Sequence, residues 1–211
     1  MKKFYDISLP LNQKTLKYPG DEGIEIISIS NFDNSNLLAN KVLLNCHLGT
    51  HVDSPLHFRS DGLSLDKYPL NNFYGEALVI DQCGKGVIDA DDVKELVLPF
   101  QHHLLFKTDN SKLLANDNFS ENYTYLTIKA AEYICSLNPL SFGFDYYSVD
   151  NFNESTLPVH NVFAAHQIPV YVCLNLLDIK PKTYIFSGLP LNIENIEAYP
   201  VRAILMEKEY K

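Results

Sequence analysis

Apolar residues along this chain recur in short runs separated by Gly, Pro, Asn and Asp, the punctuation of a strand-rich protein. Phe4 to Leu9 and Ile24 to Ile29 predict strands. Between them lies Tyr18-Pro19-Gly20-Asp21, a turn in which Pro fixes φ and Gly accepts a positive φ. Val42 to His47, Glu76 to Asp81, Leu104 to Thr108, Ser141 to Asp145, Ile168 to Leu174 and Val201 to Met206 add further strands. A helical pattern appears over Thr127 to Leu137, where Thr127 caps a face of Ala130, Ala131, Ile134 and Cys135. A second helix is predicted over about Val159 to His166. Strand pairs not separated by helices predict an α/β protein of mixed sheets partly covered by helices, rather than a doubly wound parallel sheet.

Composition narrows the class. With 211 residues, 46% hydrophobic and 20% charged, the chain has apolar surface enough for a core, and no repeat or linker divides it, so one domain over 1–211 is expected. Its longest apolar stretches, such as Ile168 to Leu174, fall far short of the roughly 20 residues of a bilayer span, so no membrane partner is expected. Asp6 and Pro10 interrupt any secretory signal core, and a cytoplasmic location follows. A net charge of −9 repels phosphate backbones and argues against nucleic acid. Cys46, Cys83, Cys135 and Cys173 are scattered without a CxxC pair and read as free, mostly buried thiols.

Chemistry concentrates in His47-Leu-Gly-Thr-His51-Val-Asp53-Ser-Pro-Leu-His57, which holds three of the chain's seven histidines. His47, His51, Asp53 and His57 share odd parity, so an extended segment points all four to one face, with Gly49 leaving room and Pro55 ending the strand. A lone histidine is usually just hydrogen-bonded or exposed; three with an aspartate on one face predict a divalent-metal site. Imidazoles and a carboxylate suit Zn2+ and also Mn2+, and three protein ligands leave positions open for water or substrate, the arrangement of a catalytic site. A bound ion brings the pKa of its water from about 15.7 to about 7.

Other polar clusters have plainer readings. Asp145, Ser148 and Asp150 read as a turn after a strand, and Asp109-Asn110-Ser111 as turn formers. His102-His103 reads as a surface pair, and Arg202 as a structural ion-pair partner.

At the His47–His57 motif the chain resembles the cyclase family that includes bacterial kynurenine formamidase (arylformamidase) and is related to isatin hydrolase. The family signature HxGTHxDxPxH is matched in full. Further matches are Tyr5-Asp6-Ile7-Ser8, Tyr18-Pro19-Gly20-Asp21, Leu105-Phe-Lys-Thr108, Gly143-Phe-Asp145, Ser148-Val149-Asp150, Leu189-Pro190-Leu191 and Pro200-Val201-Arg202-Ala203. The resemblance implies a swivelling β/β/α fold, a homodimer or larger oligomer such as a tetramer, and a small-molecule substrate. The implied reaction is hydrolysis of an amide, formamide or cyclic amide C–N bond, with N-formylkynurenine-like aryl formamides as the model substrate and metal-bound water as nucleophile. It implies that His47, His51, Asp53 and His160 bind metal, and that His57 is the general acid/base.

One family residue is missing. A glutamate twelve residues beyond His160 completes a second metal position in the family, and here that residue is Val172. Cys173 is adjacent, but strand alternation turns it to the opposite face unless a bulge intervenes. Three readings stay open: a one-metal hydrolase; a site in which Cys173 or His166 replaces the glutamate; and a catalytically impaired metal-binding protein that keeps the fold for ligand binding or assembly.

Overall fold

The computed structural model describes residues 3–100, 102–116 and 118–208. In chain order it has strands β1 (Phe4–Asp6), β2 (Ile24–Ser30), β3 (Ala39–Leu44), β4 (His51–Asp53), β5 (Tyr74–Asp81) and β6 (Val87–Ile88), then helix α1 (Ala90–Val93). There follow β7 (His103–Lys107), α2 (Asn110–Leu113), β8 (Tyr125–Leu126), α3 (Ile128–Ser136), β9 (Phe142–Phe144) and α4 (Pro158–Ala165). The chain then runs through β10 (Val170–Val172), β11 (Thr183–Ser187), β12 (Ala198–Pro200) and β13 (Ile204–Glu207). No helix among the described residues is long and apolar enough to cross a membrane.

Nine strands form one sheet in the order β1-β13-β11-β5-β7-β9-β10-β4-β12. The central β5, β7, β9 and β10 run parallel, and the strands outside them pair antiparallel. This is the mixed α/β architecture that the strand pairs predict. β2 and β3 pair only with each other, as do β6 and β8.

The two-residue period of the central strands sorts their side chains into two apolar layers. Leu104, Phe106, Val170 and Val172 join Ala130, Ala131, Ile134 and Cys135 of α3 and Phe163 of α4 on one side of the sheet. Leu105 and Tyr171 join Ile7, Val52, Leu176 and Phe186 on the other. α3 is capped as expected, with Thr127 Oγ1 accepting from the Ala130 N–H at 3.2 Å. The same hydroxyl donates to Asp89 Oδ1 at 2.6 Å, and Asp89 is the capping-box residue of α1, so one pair of side chains ties two helix starts together.

The structure corrects the reading of His102-His103. His102, just ahead of β7, is half-buried, its Nε2 2.9 Å from Glu76. His103 is fully buried, its Nδ1 2.7 Å from Ser141 Oγ and its Nε2 without a partner. Burial therefore pushes its pKa down to about 4. The unfolded chain takes up this proton below about pH 6.5 and the folded chain only near 4, so the folded state loses stability as pH falls between the two. We expect a loss of about 3 kcal/mol in urea unfolding over that window. His103→Asn, which keeps a polar atom near the Nδ1 position, should flatten the profile; an unchanged pH dependence in the variant sinks this assignment. The thiols also differ from expectation: all four are free, but only Cys135 and Cys173 are buried, while Cys46 is half-buried and Cys83 exposed.

Candidate metal centre

The motif is not one extended row. Only β4 is strand, pinned between β10 and β12 by the registers Val172↔His51 and Ala198↔Asp53. Ahead of it the chain turns: Asn45 accepts the His47 N–H on its side chain at 2.7 Å and the Leu48 N–H on its carbonyl at 3.1 Å. Gly49 then adopts φ 65°, which favours glycine, and a Cβ there would stand 2.6 Å from Leu11 Cδ2. Beyond β4, Pro55–His57 is a single 3-10 turn, because Pro55 cannot continue the ladder. The loop that follows packs so closely that a Cβ on Gly62 would stand 2.3 Å from the Pro55 carbonyl carbon. A side chain at position 62 would displace the turn that carries His57.

Turn, strand and 3-10 turn nevertheless bring the side chains together. One donor atom from each of His47, His51 and Asp53 lies within 4.8 Å of the others, the group of that kind found among the described residues. Asp53 Oδ1 is 2.9 Å from His47 Nδ1 and 3.4 Å from His51 Nε2. This oxygen is buried and yet no N–H is aimed at it. A buried carboxylate oxygen facing two imidazole nitrogens is an arrangement that a divalent cation satisfies. His51 donates its Nδ1–H to the Gly49 carbonyl at 2.8 Å, which leaves Nε2 free to ligate. Burial works against the Asp53 carboxylate, but His51 and His47 outweigh it and hold its pKa well below the ordinary range.

His160 arrives from α4, across the cavity. Helix α4 starts at Leu157 in the left-handed region, with no side chain of its own as a cap. Asp150 supplies the cap from outside, accepting the Val159 N–H at 2.6 Å and the His160 N–H at 3.1 Å. It also accepts from His160 Nδ1 at 2.5 Å, which anchors the ring and leaves Nε2 as the nitrogen not engaged by Asp150. Ser148-Val149-Asp150 is thus a helix cap and ring anchor rather than a plain turn. We expect Asp150→Ala to destabilise the fold by at least about 2 kcal/mol, since three buried donors lose a charged acceptor. A urea midpoint within error of the parent would contradict this.

The cavity, about 200 Å³, is lined by His47, His51, Asp53, His57 and His160 together with Tyr18, Asp21, Phe58, Tyr147, Ser148 and Leu157. All five sequence-predicted histidine and aspartate residues therefore share it, although His160 stands outside the tight triangle. The His57 ring lies 4.2 Å from that of His47, and Phe58 stacks on His160 at 4.6 Å. Burial lowers the pKa of His57, keeping it neutral near pH 7.

Val172 is buried in the apolar layer and offers no ligand. Cys173 follows the last residue of β10 and takes φ 55°, so strand alternation ends there and the residue lies in the same apolar cluster as Val172. It still stands outside the triangle, and burial, with the Asp53 charge nearby, pushes the thiol well above its usual range. His166 is exposed at the end of α4, its Nδ1 2.9 Å from the Val162 carbonyl. Asp145 lies beneath the sheet end, accepting from the backbone and hydroxyl of Thr108 and Ser111, and Arg202 pairs with Asp6.

Glu197 was not legible in the sequence. It precedes β12, and its Oε1 lies 3.5 Å from His47 Nε2, on the ring edge opposite Asp53. Only the pairing of β12 with β4, far apart in sequence, brings it there. Tyr18, Phe58 and Tyr147 were likewise indistinguishable from core aromatics.

Fold and site together define a mixed α/β protein with a histidine–aspartate centre open to a small cavity. The chain belongs to the family described as Putative cyclase, whose model matches residues 5–151. It is similar to the kynurenine formamidases of Bacillus cytotoxicus, 26% identical over 204 residues with 96% of this chain and 97% of the relative covered, and of Salinibacter ruber, 29% identical over 205 residues with 96% of each covered. The fold is shared with a structure described as a potential metal-dependent hydrolase with cyclase activity (TM-score 0.86, 23% identity, all of both chains). It is also shared with an isatin hydrolase bound to thioisatinate (TM-score 0.83, 23% identity, 99% of this chain and 93% of that one).

Proposed function

We propose that this protein is a metal-dependent hydrolase that cleaves the C–N bond of a small aryl formamide or cyclic amide, N-formylkynurenine serving as the model substrate. The observation that carries the reading is the orphaned Asp53 oxygen between two imidazoles, at the wall of a cavity that also presents an unpaired neutral histidine. His47, His51 and Asp53 would hold a zinc or manganese ion, with His160 positioned for a further contact or a second ion. When bound, such a cation supplies Lewis acidity, polarising a carbonyl and making a water acidic enough to attack near neutral pH.

The protein's own groups supply the rest. His57, neutral and with no hydrogen bond holding its ring, can take a proton from the attacking water and return it to the departing amine nitrogen. Asp150 keeps His160 from turning, so its free nitrogen stays aimed into the cavity. Tyr18, Phe58, Tyr147 and Leu157 give the cavity apolar walls that suit an aryl group. We assign the fold to the swivelling β/β/α type on the same family ground.

Val172 favours a second reading, in which the fold binds metal and ligand without turnover. The two separate in one experiment: protein reconstituted with zinc or manganese is assayed on N-formylkynurenine and isatin. Hydrolysis that disappears with chelator and returns with metal supports the enzyme. Stoichiometric metal with no turnover of either compound supports the silent form.

A further inference from the structure

A histidine that binds a metal through one ring nitrogen generally donates the other N–H to a carboxylate or a carbonyl, which holds the ring and raises its basicity. Two of the imidazoles at this centre have such a partner. His51 uses Nδ1 on the Gly49 carbonyl at 2.8 Å, and His160 uses Nδ1 on Asp150 at 2.5 Å. His47 has its Nδ1 on the triangle, 2.9 Å from Asp53 Oδ1, so the nitrogen that needs an outside partner is Nε2. Glu197 Oε1 lies 3.5 Å from it.

Glu197 is held there by its backbone. Its carbonyl accepts the Ser54 N–H at 2.8 Å, continuing the β4–β12 ladder one residue past Asp53, and the Ile196 carbonyl accepts the Leu65 N–H at 3.1 Å. The ladder that places Asp53 on one side of the His47 ring therefore also places Glu197 on the other. The Glu197 side chain is 38% exposed, and among the described residues no lysine or arginine lies within ion-pair distance of it; His47 is its partner. We infer that Glu197 is a positioning residue of the metal centre: it draws the ring proton of His47 to Nε2 and so turns Nδ1 to the cation. The inference rests on the metal centre proposed above and names the group that orients one of its ligands. At 3.5 Å and in partial contact with water the attraction is coulombic and modest, so it acts on metal affinity rather than on folding.

Zinc titrated calorimetrically into the parent, Glu197→Ala and Glu197→Gln tests this, with the ring nitrogens of His47 followed by 15N NMR in the zinc-loaded proteins. Glu197→Ala should bind zinc about tenfold more weakly, with a metal-free urea midpoint equal to the parent's. Glu197→Gln keeps an acceptor oxygen and should recover part of the loss. In the parent, Nδ1 of His47 should carry the zinc-induced shift and Nε2 the proton, and that proton should exchange faster with solvent in Glu197→Ala. Unchanged zinc affinity in Glu197→Ala, or a zinc shift on Nε2, overturns the inference and leaves the hydrolase reading standing. A loss of affinity matched by a lower urea midpoint overturns it too, by making Glu197 a structural residue. A parent that takes up no zinc removes the centre and the inference together.

Discussion

Asp53→Ala is expected to abolish the response of this protein to divalent cations, lowering zinc or manganese affinity by more than about 100-fold. Asp53 is the sole carboxylate in the donor triangle, and the oxygen it presents has no other partner. The effect on stability differs with and without metal. Without a cation the variant should melt at a lower temperature, because His51 and His47 hold the buried carboxylate below its ordinary pKa and that favourable pairing is lost. With cation at about 100 times its Kd, binding stabilises the parent by about 2.7 kcal/mol and leaves the variant unmoved. Calorimetric titration together with melting curves, each with and without chelator, reads both effects. A parent whose melting ignores both metal and chelator would remove the centre altogether.

His57→Ala should cut kcat on N-formylkynurenine by about 10²- to 10⁴-fold, the usual contribution of a positioned proton-transfer group. Metal affinity should hardly change, because His57 is outside the triangle, and stability should fall little, because nothing is hydrogen-bonded to its ring. The contrast between the two variants is the diagnostic: one loses the cation and with it the activity, the other keeps the cation and loses the rate. Equal turnover by His57→Ala and the parent would transfer the proton-handling role elsewhere. A His57→Ala protein that also loses metal would make His57 a ligand.

The readability of this chain was uneven for physical reasons. Local signals were dependable where one residue sets one local geometry. The Thr127 cap, the buried face of α3 and the Tyr18-Pro19-Gly20-Asp21 turn, closed by the Asp21 N–H to the Tyr18 carbonyl at 3.0 Å, all follow from nearest neighbours. Parity failed over His47 to His57, because the rule assumes continuous strand. Asn45, Gly49 and Pro55 bend the segment, and convergence arises from two turns flanking three residues of β4. The same rule left His102-His103 on the surface, since it says that neighbours face opposite ways but not which side holds the core.

The sequence by itself determined the clustering of His47, His51 and Asp53 as candidate donors, the mixed strand-rich class and the family, since each rests on residue type and short spacing. Only the tertiary structure decided how those donors are held. Asp150 capping α4 while anchoring His160, Glu197 beside His47, and Cys173 in the Val172 cluster yet outside the triangle all depend on pairings between segments distant in the chain. Register between β4, β10 and β12 sets those distances, and no local preference encodes it.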